Sequence, residues 1–477
     1  MLMHHTQPAV ASPPSPPSPP LDDDRFFASW RADELARIER AGLTYLDYTG
    51  AALYPASLVR HDARRLEHVC LGNPHSLHGP SQASSHDITA ARTAILDFLH
   101  ADPGEYAVIL TPNASAGCRL VGESFPFAAG SVLALSADNH NSVNGIREYA
   151  RPRRARTVVL PLDRDLRLQA PQAILGERAR RPSLLAFPAQ SNFSGVRHPL
   201  ELVPFAQSLG WSVLLDAASY VPTAELRLDC VHPDFVVLSL YKIAGYPTGV
   251  GALVARHDAL AKLRRPTFAG GTVQWVSVQH QRHRFTIGPE GFEDGTGHFL
   301  AVGAVPAALA AVTSAGRERL PRHLGRLASD LLSGVQSIRH QDGTRAVTVH
   351  GPETLEARGA TVAISLHATD GSSVPYWQVE DAARQQGLAV RGGCFCNPGC
   401  AEQAFGFPAR ETSRCLEALG ARFSIPAFAA CLGGRAVGAI RISFGLGSVA
   451  ADVERIVEFL QTMSVRPREA HPVLTIS

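Results

Sequence analysis

The sequence predicts an α/β protein. A mostly parallel sheet is covered on both faces by helices, and a smaller α+β domain follows it. Three observations carry this. From about Tyr106, short apolar runs alternate with helical patterns. The runs are continuously apolar, as suits strands buried on both faces. After about Ser314 the pattern changes to three further strands with helices between and after them.

The elements follow in order. "ASWRADELARIERAG" reads as an amphipathic helix with Trp30, Leu35 and Ile38 on one side. "YAVILT" precedes the helical "SAGCRLVGESF", "SVLALS" precedes "NSVNGIREYA", and "SLLAFP" precedes "ELVPFAQSLG". "WSVLLD", "DFVVLSL" and "VGALVA" complete the series. Strand and helix in alternation imply a parallel sheet. Beyond Ser314, "ATVAISL", "GLAVR" and "GAIRISFG" read as strands. A last helix from about Val449 places Val449, Val453, Ile456, Val457 and Leu460 on one stripe. The expected division is a Pro/Ser-rich, disordered tail at 1–25 and a large domain with its N-terminal segment at 26–314. A small domain at 315–465 and a tail at 466–477 complete it.

Composition narrows the function. The 477 residues are 45% hydrophobic, with a formal net charge of +2. That balance gives no sign of nucleic-acid binding. No apolar run approaches the ~20 residues of a membrane-spanning helix, and the first residues lack the apolar core of a signal peptide. Eight cysteines in so long a chain do not resemble a disulfide scaffold, so a reducing cytoplasm is expected.

Ligands in open α/β sheets sit at the carboxyl ends of strands, and several polar residues fall there. Asp216 ends "WSVLLD", Lys242 follows "VVLSL", and His140 follows "SVLALSADN". Asn192 follows "LLAFPAQ", and Ser115 opens the helix after "VILTPNA". Taken singly, each has a plainer reading: a snorkelling lysine, a helix-capping aspartate, a hydrogen-bonded loop histidine. Together they compose the pocket that pyridoxal phosphate needs. A lysine bonds to the cofactor, a carboxylate keeps the ring nitrogen protonated, and a helix start takes the phosphate.

A second feature is "VRGGCFCNPGC", with Cys394, Cys396 and Cys400 in a loop rich in Gly and Pro. Zinc usually takes four ligands, often in paired C-x2-C units. Here three cysteines are spaced C-x-C-x3-C with no nearby histidine, so no metal is expected. A polar loop is also a poor place for inert, packed cysteine. A reactive thiol is the favoured reading.

With these stretches in view, the chain resembles the fold-type I pyridoxal phosphate enzymes of aminotransferase class V. Within them it is similar to cysteine desulfurases, most of all to the desulfurase domain of molybdenum cofactor sulfurases. "YLDYTGAALYP", "LGNPHSLHGPS", "DNHNSVNGIRE", "FPAQSNFSGVRHPL", "LLDAASYVPT", "SLYKIAGYPTGVGALV", "AGGTV", "FEDGT", "VRGGCFCNPGC" and "GRAVGAIRISFG" carry the likeness, from about Thr44 to Gly447.

The resemblance implies a seven-stranded sheet and a role for each matched residue. Lys242 matches the lysine that bonds to pyridoxal 5'-phosphate, Asp216 the partner of its ring nitrogen, and His140 the imidazole stacked on the ring. Asn192 matches a residue near the ring hydroxyl. Ser115 and Ser239 match phosphate contacts, and Thr272 one that reaches across a homodimer interface. Arg441 matches the clamp on the substrate carboxylate, and Cys396 the thiol that takes sulfur from L-cysteine. Two positions depart from common desulfurases. Ser219 stands where Gln or His often lies near the cofactor, and Gly392 where many relatives carry a hydroxyl. The implied sulfur acceptor is a protein or the molybdenum cofactor. Other class V chemistry, C–S lysis or amino-acid epimerisation, would need the cofactor but not Cys396. A non-catalytic binding protein of this fold would need neither.

Overall fold

The computed structural model describes residues 21–176 and 179–464. The tail expected at 466–477 and residues 1–20 of the N-terminal tail lie outside them. The first helix, α1 (Leu21–Glu34), begins five residues ahead of Phe26. The cause is electrostatic. Arg319, Arg322 and Arg326 share one face of a later helix, and they meet Asp23 and Asp24 of α1.

The large sheet has seven strands: β1 (Tyr106–Thr111), β2 (Val132–Ser136), β3 (Arg156–Leu160), β4 (Leu184–Pro188), β5 (Ser212–Asp216), β6 (Phe235–Ser239) and β7 (Gly251–Arg256). Their spatial order is β1-β7-β6-β5-β4-β2-β3. Only β7 runs antiparallel to its neighbours, so the mostly parallel α/β sheet is as the sequence predicts. Successive residues serve opposite faces, as a pleated strand requires. Val213, Leu215, Val236 and Leu238 enter one core, while Leu214, Phe235 and Val237 enter the other. Helix α2 (Gly79–Phe98) covers the first face and α3 (Ala114–Ser124) the second. The single turn α4 (Leu240–Ala244) directly follows β6, and α5 (Val305–Thr313) packs on α2 and α4.

The small domain opens with α6 (Arg319–Ser337). Its antiparallel sheet is formed by β8 (Val347–His350), β9 (Thr361–Leu366), β10 (Arg391–Gly393) and β11 (Ala439–Ser443), in the order β8-β9-β11-β10. Helix α7 (Pro398–Phe405) follows β10, and α8 (Ala450–Ser464) closes the described chain. The N-terminal segment docks here as well as on the large domain. Thr44–Tyr45 pairs with Leu388–Ala389, and buried Arg31 meets buried Asp452 of α8 at 2.6 Å. Cys415 and Cys431 form a disulfide within the small domain; the other six cysteines are free. No described helix is long and apolar enough to cross a membrane.

Candidate active site

The carboxyl ends of β2, β4, β5 and β6 and the start of α3 converge on a cavity of about 160 Å³. Its lining includes Ser115, His140, Asn192, Asp216, Ser219, Ser239 and Lys242. Seven residues placed separately along the sequence thus share one wall.

Lys242 is there because α4 turns the chain back immediately after β6. The turn ends at Gly245, whose φ of +74° is left-handed. A Cβ at Gly245 would lie 2.4 Å from the Tyr54 backbone nitrogen, so only glycine lets these segments touch. Burial pushes the Lys242 amine below the usual lysine range. Arg441 and Arg391 add to this, while Asp216 and Cys396 oppose it. His140 accepts the Ser142 N–H at its Nδ1 (3.1 Å). Burial is the main cause that lowers its pKa, so its ring is held neutral. Asp216 leaves β5 with Oδ1 held by the Ala218 N–H at 3.0 Å.

At the other end of the cavity, Asn113 caps α3 by accepting the Ala116 N–H at 3.0 Å. Ser239 Oγ accepts the Ala114 N–H at 2.9 Å, and the Ser115 and Ser142 hydroxyls lie 2.5 Å apart. A helix N-terminus ringed by hydroxyls favours a phosphate. The donor set therefore fits pyridoxal phosphate: an amine, an acid, an imidazole and a hydroxyl-ringed helix start line one cavity.

The cysteine loop of the small domain is hydrogen-bonded to one lining residue and to the neighbour of another. Asn192 Nδ2 donates to the Phe395 carbonyl at 2.7 Å. The Asn141 N–H, beside His140, donates to the Cys396 carbonyl at 2.7 Å. The three thiols are unlike one another. Cys396 is exposed, Cys394 half-buried and Cys400 fully buried, and burial pushes the Cys400 thiol well up. Cys400 is thus a packed thiol of low reactivity. Among the described residues, no cluster of His, Cys, Asp or Glu could hold a metal ion.

Arg441 sits on β11 at the edge of the site, 2% exposed. Its Nη1 donates to the Asn192 carbonyl (2.9 Å) and its Nη2 to Asp47 (2.8 Å). Its Nε is buried without a partner. The chain belongs to the aminotransferase class V family. The family's model matches residues 44–456. Among relatives, the molybdenum cofactor sulfurase of Arabidopsis thaliana is 32% identical over 92% of this chain. That of Anopheles gambiae is 33% identical, also over 92%. The chain spans 58% and 60% of the length of these two relatives. Among solved structures, a cysteine desulfurase from Thermococcus onnurineus superposes with a TM-score of 0.74. It is 21% identical, over 91% of this chain and 97% of that one. Pyridoxal phosphate is the cofactor of this class V enzyme family.

Three expected residues, Cys396, Arg441 and Thr272, are not in the cavity's lining. Thr272 is buried, and its hydroxyl closes a turn with the Ala269 N–H and carbonyl, each at 2.8 Å. Other residues were missed. Gln190, Cys118 and Tyr241 line the cavity. Asp47 ties Arg441 to Arg391, although Arg391 stands within the quoted "VRGGCFCNPGC". A position two residues before His140, Asp138, carries a buried polar network described below.

Proposed function

We propose that this class V enzyme takes sulfur from L-cysteine onto Cys396 and leaves alanine. The observation that carries the reading is the docking of an exposed thiol loop on the cofactor cavity, through the Cys396 carbonyl and the Asn141 N–H. Bound pyridoxal phosphate supplies an electron sink that weakens bonds next to the substrate's amine-bearing carbon.

The chain's own residues do the rest. Lys242 would anchor the cofactor covalently, and its lowered pKa favours the neutral amine that, once freed, can hold and move the substrate α-proton. Asp216 would hold the cofactor's ring nitrogen and His140 its ring, Asn192 and Ser219 would meet its polar edge, and Ser115 and Ser239 would hold its phosphate. Arg441, with its buried Nε still unpartnered, binds the substrate carboxylate. The Cys396 thiolate attacks the substrate sulfur. An S–S bond forms and the Cβ–S bond breaks. The electron pair stays on Cβ, which takes a proton to give alanine. The two sulfurs lose two electrons in sum as Cβ gains them.

The persulfide is then available to an acceptor thiol protein or to the molybdenum cofactor. The relatives named for that sulfuration support the second. We also propose a homodimer, because Trp275, Val278 and Ile287 stand exposed around the hairpin that follows Thr272. A reducing, cytoplasmic setting is part of the same proposal: six of the eight cysteines are free, with the Cys415–Cys431 disulfide as the exception.

The test is to incubate protein with L-cysteine and reductant and to measure alanine and sulfide together. Equal amounts are expected. Cys396→Ser should keep the cofactor's colour and its spectral response to L-cysteine but lose persulfide. Alanine release by Cys396→Ser at the parent rate would sink the reading, and undiminished pyruvate and ammonia would make the protein a C–S lyase.

A further inference from the structure

We propose that Asp138 is a positioning residue for sulfur transfer, holding the Cys396 thiol in place through Asn397; this rests on the desulfurase reading above. Asp138 follows β2 and is completely buried. Every group aimed at its carboxylate is a donor. Ser191 Oγ lies 2.7 Å and Asn397 Nδ2 2.6 Å from Oδ1, and His198 Nε2 lies 2.9 Å from Oδ2. A carboxylate accepts all three; an amide would turn its own N–H toward donors.

From Asn397 the network reaches the reacting loop on both sides. Its Nδ2 also donates to Asn192 Oδ1 (3.0 Å), and its Oδ1 accepts the Cys400 N–H (3.2 Å), capping α7. Asn192 in turn holds the Phe395 carbonyl. Phe395 and Cys396 both have left-handed backbone, with φ of +57° and +56°. Residues with side chains stay in that region only when their surroundings over-determine it. The loop is further pressed down at Gly399, where a Cβ would lie 2.3 Å from the Ala137 carbonyl oxygen, next to Asp138.

Asp138 does not line the cofactor cavity. Its work is therefore separable from that of Lys242 and Asp216, which do. Attack on the substrate sulfur needs the thiolate in line with the breaking Cβ–S bond, and small misplacements of a reacting group are costly in rate.

The experiment compares holoenzymes of the parent, Asp138→Asn and Asn397→Ala with L-cysteine. Both variants should keep cofactor content, the spectral response to L-cysteine and a KM within about 3-fold of the parent's. Their kcat for alanine should fall by about 10-fold or more. Persulfide on Cys396, read by mass spectrometry in a single turnover, should lag by the same factor. His198→Gln, which keeps an N–H donor for Asp138, should retain more of kcat than His198→Leu. An unchanged kcat in Asp138→Asn overturns the proposal. So does loss of cofactor with kcat per bound cofactor preserved, since Asp138 would then serve the cavity instead. If Asp138→Asn fails to fold, Asn397→Ala decides on the same criteria. A parent that makes neither persulfide nor alanine refutes the desulfurase reading itself, a result distinct from parent-like variants.

Discussion

Burial sets the chemistry of Lys242. An amine at the end of an apolar strand is easier to deprotonate than one in water, and here the guanidinium groups of Arg441 and Arg391 lower its pKa further. Borohydride should fix the bound cofactor onto Lys242 of the parent; replacing Lys242 with Ala should abolish that adduct and lower alanine formation by roughly 10²–10⁴-fold, the span of general acid–base catalysis. Arg391 offers a finer test. Removing its positive charge, and leaving Asp47 less compensated, both favour the charged amine. Arg391→Gln should therefore raise the Lys242 pKa. Covalent capture of pyridoxal phosphate by the apoprotein needs the neutral amine, so its acidic limb should move to higher pH. A rate–pH profile followed by cofactor absorbance reads this, and a shift to lower pH would contradict the assignment. At this scale the sequence was informative where a residue ends or closely follows a strand: Asp216 ends β5, and Lys242 and His140 follow β6 and β2. It was silent on Asp138 and Asp47, because their partners lie 259 and 394 residues away in Asn397 and Arg441.

At the scale of elements, the strands were legible because burial on both faces writes itself as an unbroken apolar run, as in "DFVVLSL". The start of α1 was not. "LDDD" looks like the end of a polar tail until the arginine face of α6 is brought against it. The ion pair of Arg31 with Asp452 tests how firmly α1 is fastened to α8. Both side chains are under one-tenth exposed. Burial pushes the Asp452 carboxyl up and Arg31 pulls it back down. Arg31→Ala strands a buried acid, so unfolding free energy should drop by about 3–5 kcal/mol. Chemical denaturation measures it, and a change under 1 kcal/mol would show α1 to be loosely held. The loop at Cys396 gives a further contrast. Its glycines and proline suggest a mobile sulfur carrier, whereas its backbone is hydrogen-bonded at both Phe395 and Cys396.

For the whole molecule, the proposed assembly is a dimer of 51.0 kDa chains, and light scattering should give twice that mass. Val278 is 88% and Ile287 78% exposed, more than isolated apolar side chains in a monomer's surface require. Charged substitutions at Trp275 and Val278 should shift the mass toward the monomer; a parent that runs as a fully active monomer would refute the assembly. One further consequence follows from the small sheet. Arg391 of β10 stands directly opposite Arg441 of β11, with Gly392 opposite Ile440 and Gly393 opposite Ala439. The thiol loop and Arg441, the proposed substrate clamp, are therefore carried as one cassette, and their spacing is written in strand register. A slip of one residue between β10 and β11 would turn every side chain of the displaced strand to the other face. The long segment between Phe405 and Val437 lies outside this register, with its own helices and disulfide. Inserting or deleting one residue within Arg391–Gly393 would instead shift the thiol loop against Arg441.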